Sequence, residues 1–128
     1  MDQYEKDRIL VVEDDPVLAG MITFVLGREG FAVDLASDGR AAIARLQGPP
    51  PALAVLDIML PHASGHEILE TVRAQPGWSH LPVVMLTARN ETGDLMRAFS
   101  AGADDYVAKP FQPEELVARI RRLLRARV

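Results

Sequence analysis

The feature that most constrains this chain is a set of short apolar runs, each closed by a polar residue and followed by a longer segment of helical character. Ile9-Leu10-Val11-Val12 leads into Glu13-Asp14-Asp15, Leu53-Ala54-Val55-Leu56 into Asp57, Val83-Val84-Met85-Leu86 into Thr87, and Tyr106-Val107-Ala108 into Lys109. Runs that are apolar throughout, rather than alternating, fit strands covered by helices on both faces, as in a parallel sheet of βαβ units. In an open sheet of that kind ligands bind at the carboxyl ends of the strands. The polar residues therefore converge on one rim that carries acids, a hydroxyl and an amine.

The intervening segments read as helices. The first starts at Pro16, carries Val17, Leu18, Met21, Ile22, Val25 and Leu26 at helical spacing, and ends between Gly27 and Gly30. Asp38 caps a thinner second helix with Ala42, Ile43 and Leu46, stopped by Gly48-Pro49-Pro50-Pro51, a rigid connector. Ser64 caps a third with Ile68, Leu69 and Val72, and Trp78 falls in the loop after it. A fourth helix around residues 91–100 has only Leu95, Met96 and Phe99 as large apolar residues and contains Gly93, so it is the least stable. The last helix has the clearest stripe, Leu116, Val117, Ile120, Leu123 and Leu124, after Pro113. Phe31-Ala32-Val33-Asp34-Leu35 alternates and the 106–108 run is short, so both are edge strands. The expected fold is α/β, a five-stranded parallel sheet in the order 2-1-3-4-5, flavodoxin-like and doubly wound as (βα)5.

With 128 residues and 48% hydrophobic content, the chain suits a single domain spanning 1–128, with residues 1–7 as a polar N-terminal tail. Net charge −4, from 14 basic and 18 acidic residues, gives no chain-wide attraction for nucleic acid or anionic membrane. There is no cysteine, hence neither a disulfide nor a thiolate metal site. No apolar stretch nears the ~20 residues of a membrane span, and the expected location is cytoplasmic.

Two carboxylates ~4 Å apart repel by about 4 kcal/mol at an effective dielectric of 20, so the acidic rim needs a cation or a proton. Oxygen ligands alone select a hard ion, and Mg²⁺ is held by one or two carboxylates together with waters and phosphate oxygens. That points to phosphate chemistry, in which an ionised Asp can itself be the nucleophile. Asp57, alone at the end of the middle strand, is the candidate. Lys109 would supply fixed positive charge and Thr87 a hydroxyl. Asp15, just before Pro16, reads as a helix cap, and His62, His66 and His80 read as surface residues.

At this point the residues resemble the receiver domains of two-component response regulators, whose fold is called CheY-like. The segments are Ile9 to Asp15, Leu56-Asp57-Ile58-Met59-Leu60-Pro61 with Gly65, Leu86-Thr87-Ala88, and Gly102-Ala103-Asp104-Asp105-Tyr106-Val107-Ala108-Lys109-Pro110-Phe111. The resemblance implies that Asp57 accepts a phosphoryl group from a sensor histidine kinase or phosphotransfer protein, so that the domain is a regulatory phosphoacceptor rather than an enzyme. It implies Mg²⁺ on Asp14, Asp57 and the backbone carbonyl of Met59, with Glu13 acting through water. Lys109 and Thr87 would contact the phosphate, with a cis bond before Pro110. Thr87 and Tyr106 would form the switch pair, transmitting the added charge to the face made by the fourth helix, fifth strand and last helix. Met59 and Arg89 occupy positions that tune phosphate lifetime, and neither suggests specialised fast dephosphorylation.

The stretch from Phe111 to Arg122 looks like the receiver end of OmpR/PhoB-type transcription regulators. That implies a winged-helix output domain beyond this chain and a phosphorylation-dependent homodimer, with Arg97, Asp104, Asp105, Glu115, Arg119 and Arg122 as interface residues. DNA would not be bound by this domain directly, because the arginines from Arg119 to Arg127 suit a helix C-terminus. The alternative is a stand-alone receiver acting through protein contacts or phosphorelay. A phosphohydrolase of the haloacid dehalogenase type needs a second Asp where Met59 stands, and a nucleotide-binding loop would not read Glu13-Asp14-Asp15.

Overall fold

Strand β1 (Arg8–Val12) lies inside the sheet, paired in parallel with β2 (Ala32–Ala36) on one side and β3 (Leu53–Asp57) on the other. β3 pairs with β4 (Val83–Ala88), and β4 with β5 (Asp105–Lys109), which completes the order β2-β1-β3-β4-β5. The computed structural model describes residues 7–60, 63–88 and 102–126. Within them are α1 (Pro16–Arg28), α2 (Gly39–Ala44) continued by a 3-10 turn (Arg45–Gln47), α3 (Gly65–Ala74) and a C-terminal helix (Pro113–Ala126). The fourth helix expected around 91–100 falls outside the described residues.

Successive side chains along a strand point to opposite faces, and each face is buried here. Ile9, Val11, Leu53, Val55, Val84, Leu86 and Val107 pack against Ile22 and Leu26 of α1 and Leu116 and Ile120 of the C-terminal helix. Leu10, Val12, Ala54, Leu56, Val83 and Met85 face the other way, onto Leu46, Ile68, Leu69, Val72 and Trp78. Truncating a fully buried Leu116 or Ile120 to alanine costs about 2–5 kcal/mol. The wholly apolar runs thus became the inner strands, with β2 and β5 at the edges.

Local chemistry sets the helix starts. Asp15 accepts a hydrogen bond from the Val17 amide at 3.0 Å ahead of Pro16, and Asp38 accepts one from Ala41 at 2.8 Å. Ser64 and Glu67 form a reciprocal capping box, with bonds of 3.2 and 2.9 Å.

The structure departs from the sequence reading in four places, the first being Ile43, assigned to the apolar face of α2 but 37% exposed. Val17, assigned to the inward stripe of α1, is 80% exposed, because every face of that helix is apolar and the phase was set by Ala19, Ile22, Val25 and Leu26 instead. β2 does not alternate: Ala32, Val33 and Asp34 are all half-buried. His66 is buried at 3% exposure on the inner side of α3, while His80 is exposed and His62 lies outside the described residues.

Candidate functional site

The parallel register fixes the rim. Asp57 pairs with Leu86, placing Thr87 one step beyond it, and Ala88 pairs with Lys109. Glu13 follows the last residue of β1, its amide donating to the Ala36 carbonyl at 3.1 Å. The carboxylates of Glu13, Asp14 and Asp57 have oxygens within 4.8 Å of one another. Glu13 and Asp57 are buried, whereas Asp14 is exposed.

Lys109 reaches in from β5. Its Nζ donates to Asp57 Oδ2 at 2.8 Å and lies 3.4 Å from Glu13 Oε1. The other Asp57 oxygen, Oδ1, accepts from the Met59 amide at 3.1 Å. Glu13 Oε2 accepts from the Asp15 amide at 3.1 Å, but among the described residues the buried Glu13 Oε1 accepts no hydrogen bond. Burial pushes the Glu13 carboxyl up to about 7, helped by the neighbouring Asp57 and opposed by the Asp15 amide and Lys109. Burial works against the Lys109 ammonium, but Asp57 and Glu13 outweigh it and raise its pKa.

These residues fit a divalent cation. The three acids outnumber the one lysine beside them, all ligand atoms are oxygens, and one buried carboxylate oxygen has no hydrogen-bond partner among the described residues. That donor set is the kind Mg²⁺ takes.

Thr87 is 1% exposed, and its hydroxyl donates to the Ala88 carbonyl at 3.1 Å. Tyr106 is half-buried against the core cluster of the α2 and α3 side. The Lys109–Pro110 peptide is cis.

Gly65 carries a function that its place in the sequence pattern did not reveal. A Cβ there would stand 2.4 Å from the Asp57 carbonyl oxygen and 2.8 Å from the Ile58 Cα. Its amide also donates to the Ile58 carbonyl at 2.9 Å, so α3 begins directly beneath the candidate nucleophile. A proximity of this sort is visible only in three dimensions.

Of the charged residues expected at an interface, Glu115, Arg119 and Arg122 of the last helix come together with Asp105 of β5. Asp105, 6% exposed, accepts from Arg119 Nη1 at 3.1 Å and Arg122 Nη2 at 2.7 Å, and Arg119 lies 3.6 Å from Glu115. Burial would raise the Asp105 pKa, but Arg122, the Tyr106 amide and Arg119 together lower it. Asp104 faces elsewhere: it accepts from the Val83 amide at 2.8 Å and from Arg73 at 3.1 Å. Arg73 also donates to the Leu81 and Gly102 carbonyls, tying α3 to the starts of β4 and β5. Arg97 and Arg89 lie outside the described residues.

Residues 9–121 match the response regulator receiver domain. The chain is 48% identical over 120 residues to the DNA-binding response regulator MtrA of Mycolicibacterium smegmatis, covering 94% of this chain and 51% of MtrA. It is 46% identical over 118 residues to the phosphate regulon transcriptional regulatory protein PhoB of Klebsiella pneumoniae, covering 92% and 52%. The chain thus spans about half the length of these curated relatives. The receiver domain of the sensor histidine kinase PA1611 from Pseudomonas aeruginosa, solved with a magnesium ion in its active-site cleft, superposes with a TM-score of 0.88 at 32% identity, covering 95% of this chain and all of that one, 100%.

Proposed function

This chain belongs to the response regulator receiver family, and from that premise we propose that Asp57 is its phosphoacceptor, with Mg²⁺ as cofactor and a histidine-phosphorylated kinase or phosphotransfer protein as donor. The observation that carries the reading is a buried aspartate held at 2.8 Å by a lysine inside a three-carboxylate cluster. In the transfer, the donor's P–N bond breaks as an Asp57 oxygen bonds to phosphorus, and the domain acts as a regulated acceptor.

Asp14, Asp57 and the Met59 carbonyl would hold the cation, with Glu13 acting through water. When bound, Mg²⁺ neutralises charge on the phosphoryl oxygens. The residues of the chain do the positioning. The Met59 amide orients Asp57 through Oδ1, while Lys109 keeps its ammonium where the phosphoryl oxygens arrive. Once phosphate adds roughly −1.5 to −2 charge, the Thr87 hydroxyl exchanges the Ala88 carbonyl for a phosphoryl oxygen and Tyr106 turns inward.

The output reading follows from the relatives, whose names describe transcriptional and DNA-binding regulators. Here Asp105, Glu115, Arg119 and Arg122, with Arg97, would form the homodimer face on phosphorylation, and an attached winged-helix domain would act on DNA. Asp104 was grouped with them, but its bonds to Arg73 and Val83 favour a structural task.

The test is incubation with a small phosphodonor and Mg²⁺, followed by intact-mass measurement. Wild type should gain one phosphoryl group and Asp57→Ala none. An unchanged wild type, or an equal gain in the variant, contradicts the assignment.

A further inference from the structure

Peroxides oxidise the methionine thioether to a polar sulfoxide where water reaches the sulfur. The chain has five methionines and no cysteine to compete for the oxidant. Met85 is fully buried, Met21 is half-buried in α1, and Met59 is 70% exposed, while Met1 and Met96 lie outside the described residues. Among the described residues, Met59 is thus the methionine whose side chain stands mostly in water.

Its place in the fold is at the candidate acceptor. Asp57 ends β3, and the residues on either side of Met59 turn inward: Ile58 is 4% exposed, and Leu60 packs against the same core cluster. Met59 turns outward, yet its amide donates to Asp57 Oδ1 at 3.1 Å. The residue that holds a carboxylate only 2% exposed therefore also presents the oxidisable sulfur to solvent.

Oxidation changes what that side chain offers. A thioether is a weak hydrogen-bond acceptor, whereas a sulfoxide carries a polar oxygen. In the step itself, one oxygen of hydrogen peroxide bonds to sulfur as the O–O bond breaks, the sulfur gives up an electron pair, and the other oxygen leaves as water. An aspartyl phosphate is lost when a water oxygen bonds to phosphorus as the bond from phosphorus to the Asp57 oxygen breaks. The carboxylate leaves as the anion, and both protons of the water depart with the phosphate. An acceptor fixed beside the phosphorus orients that water.

Resting on the assignment of Asp57 as the phosphoacceptor, we propose that Met59 is a site of peroxide oxidation and that its sulfoxide, by orienting water, shortens the life of the aspartyl phosphate. Oxidant then acts on the domain as an off signal, and enzymatic reduction of the sulfoxide reverses it.

The test charges the reduced protein with a small phosphodonor and Mg²⁺, removes the donor, and adds limiting hydrogen peroxide. Peptide mass mapping should find the added oxygen on Met59 ahead of Met21 and Met85. Phosphoryl loss should run about 3–10-fold faster than without peroxide, the weight of one hydrogen bond to the attacking water. Met59→Leu should lose phosphate at one rate with and without peroxide, and methionine sulfoxide reductase should return the wild type to its starting rate. Oxidation of Met21 or Met85 before Met59 overturns the proposal, as does an equal response to peroxide in Met59→Leu. A reduced protein that gains no phosphoryl group overturns the Asp57 assignment and this proposal together. One that gains it and keeps it equally long after Met59 is oxidised overturns this proposal alone.

Discussion

The Lys109 ammonium stands 2.8 Å from Asp57 Oδ2, bridging the end of an edge strand to the end of the middle strand. Its positive charge faces Asp57 and Glu13 together.

Lys109→Ala should therefore destabilise the metal-free protein by about 2 kcal/mol. That is less than the ~3–5 kcal/mol for breaking a fully buried pair, because the Lys109 side chain is 28% exposed. Urea unfolding should show the deficit shrinking when Mg²⁺ is added, and phosphorylation should slow by about 10²-fold. An undiminished rate would remove the lysine from the transfer step.

The Glu13 carboxyl, moved from an ordinary 4.5 up to about 7, holds its proton in the folded state where the unfolded chain has lost it. Its contribution to stability is thus complete below pH 4.5 and disappears as pH rises through about 7. Relative to Glu13→Gln, metal-free wild type should lose stability between pH 5 and 8 in thermal melts. Mg²⁺ affinity should rise over the same interval, since proton and cation compete. A pH-independent difference between the two proteins would refute the assignment.

Asp105 shifts in the opposite direction. Its pKa is lowered from 3.8 in the folded state, so its contribution is present above 3.8 and lost as pH falls through the folded value. Asp105→Asn should cost about 1 kcal/mol near neutrality, the two arginine partners being well exposed, and should flatten the acid limb of the stability curve. Equal acid sensitivity in both proteins would show that the Arg119 and Arg122 contacts carry no net energy.

Gly65→Ala places a methyl group against the Asp57 carbonyl, where the nearest atoms are backbone and cannot rotate away. A loss of about 2 kcal/mol is expected, together with slower phosphorylation, because the clash displaces the acceptor itself. Gly20→Ala, on the open face of α1, serves as the comparison and should be neutral or stabilising.

What the sequence displayed was the sheet and its rim. Ile9–Val12, Leu53–Leu56 and Val83–Leu86 are apolar on both faces, which marked them as inner strands, and strand order then carried Glu13, Asp57, Thr87 and Lys109 to one edge. What it concealed was the orientation of groups whose surroundings come from distant segments. The phase of α1 could not be read because a helix apolar all round has no polar side to reveal it. Asp104 and Asp105 are neighbours in sequence but enter the sheet pointing opposite ways, one to Arg73 and the other to Arg119 and Arg122. His66 looked like a surface residue until Ser64 and Glu67 fixed where α3 begins and so which side of it faces inward.

The register of the parallel sheet sets the dimensions of the chemistry. Glu13, Asp57, Thr87 and Lys109 each lie at or just past the carboxyl end of a different strand, and neighbouring strands are held ~4.8 Å apart by backbone hydrogen bonds. The gauge against which the proposed cation and phosphoryl group would be measured is therefore the peptide lattice, indifferent to most side chains. The outer faces of the helices can be rewritten for new partners without that gauge being recalibrated.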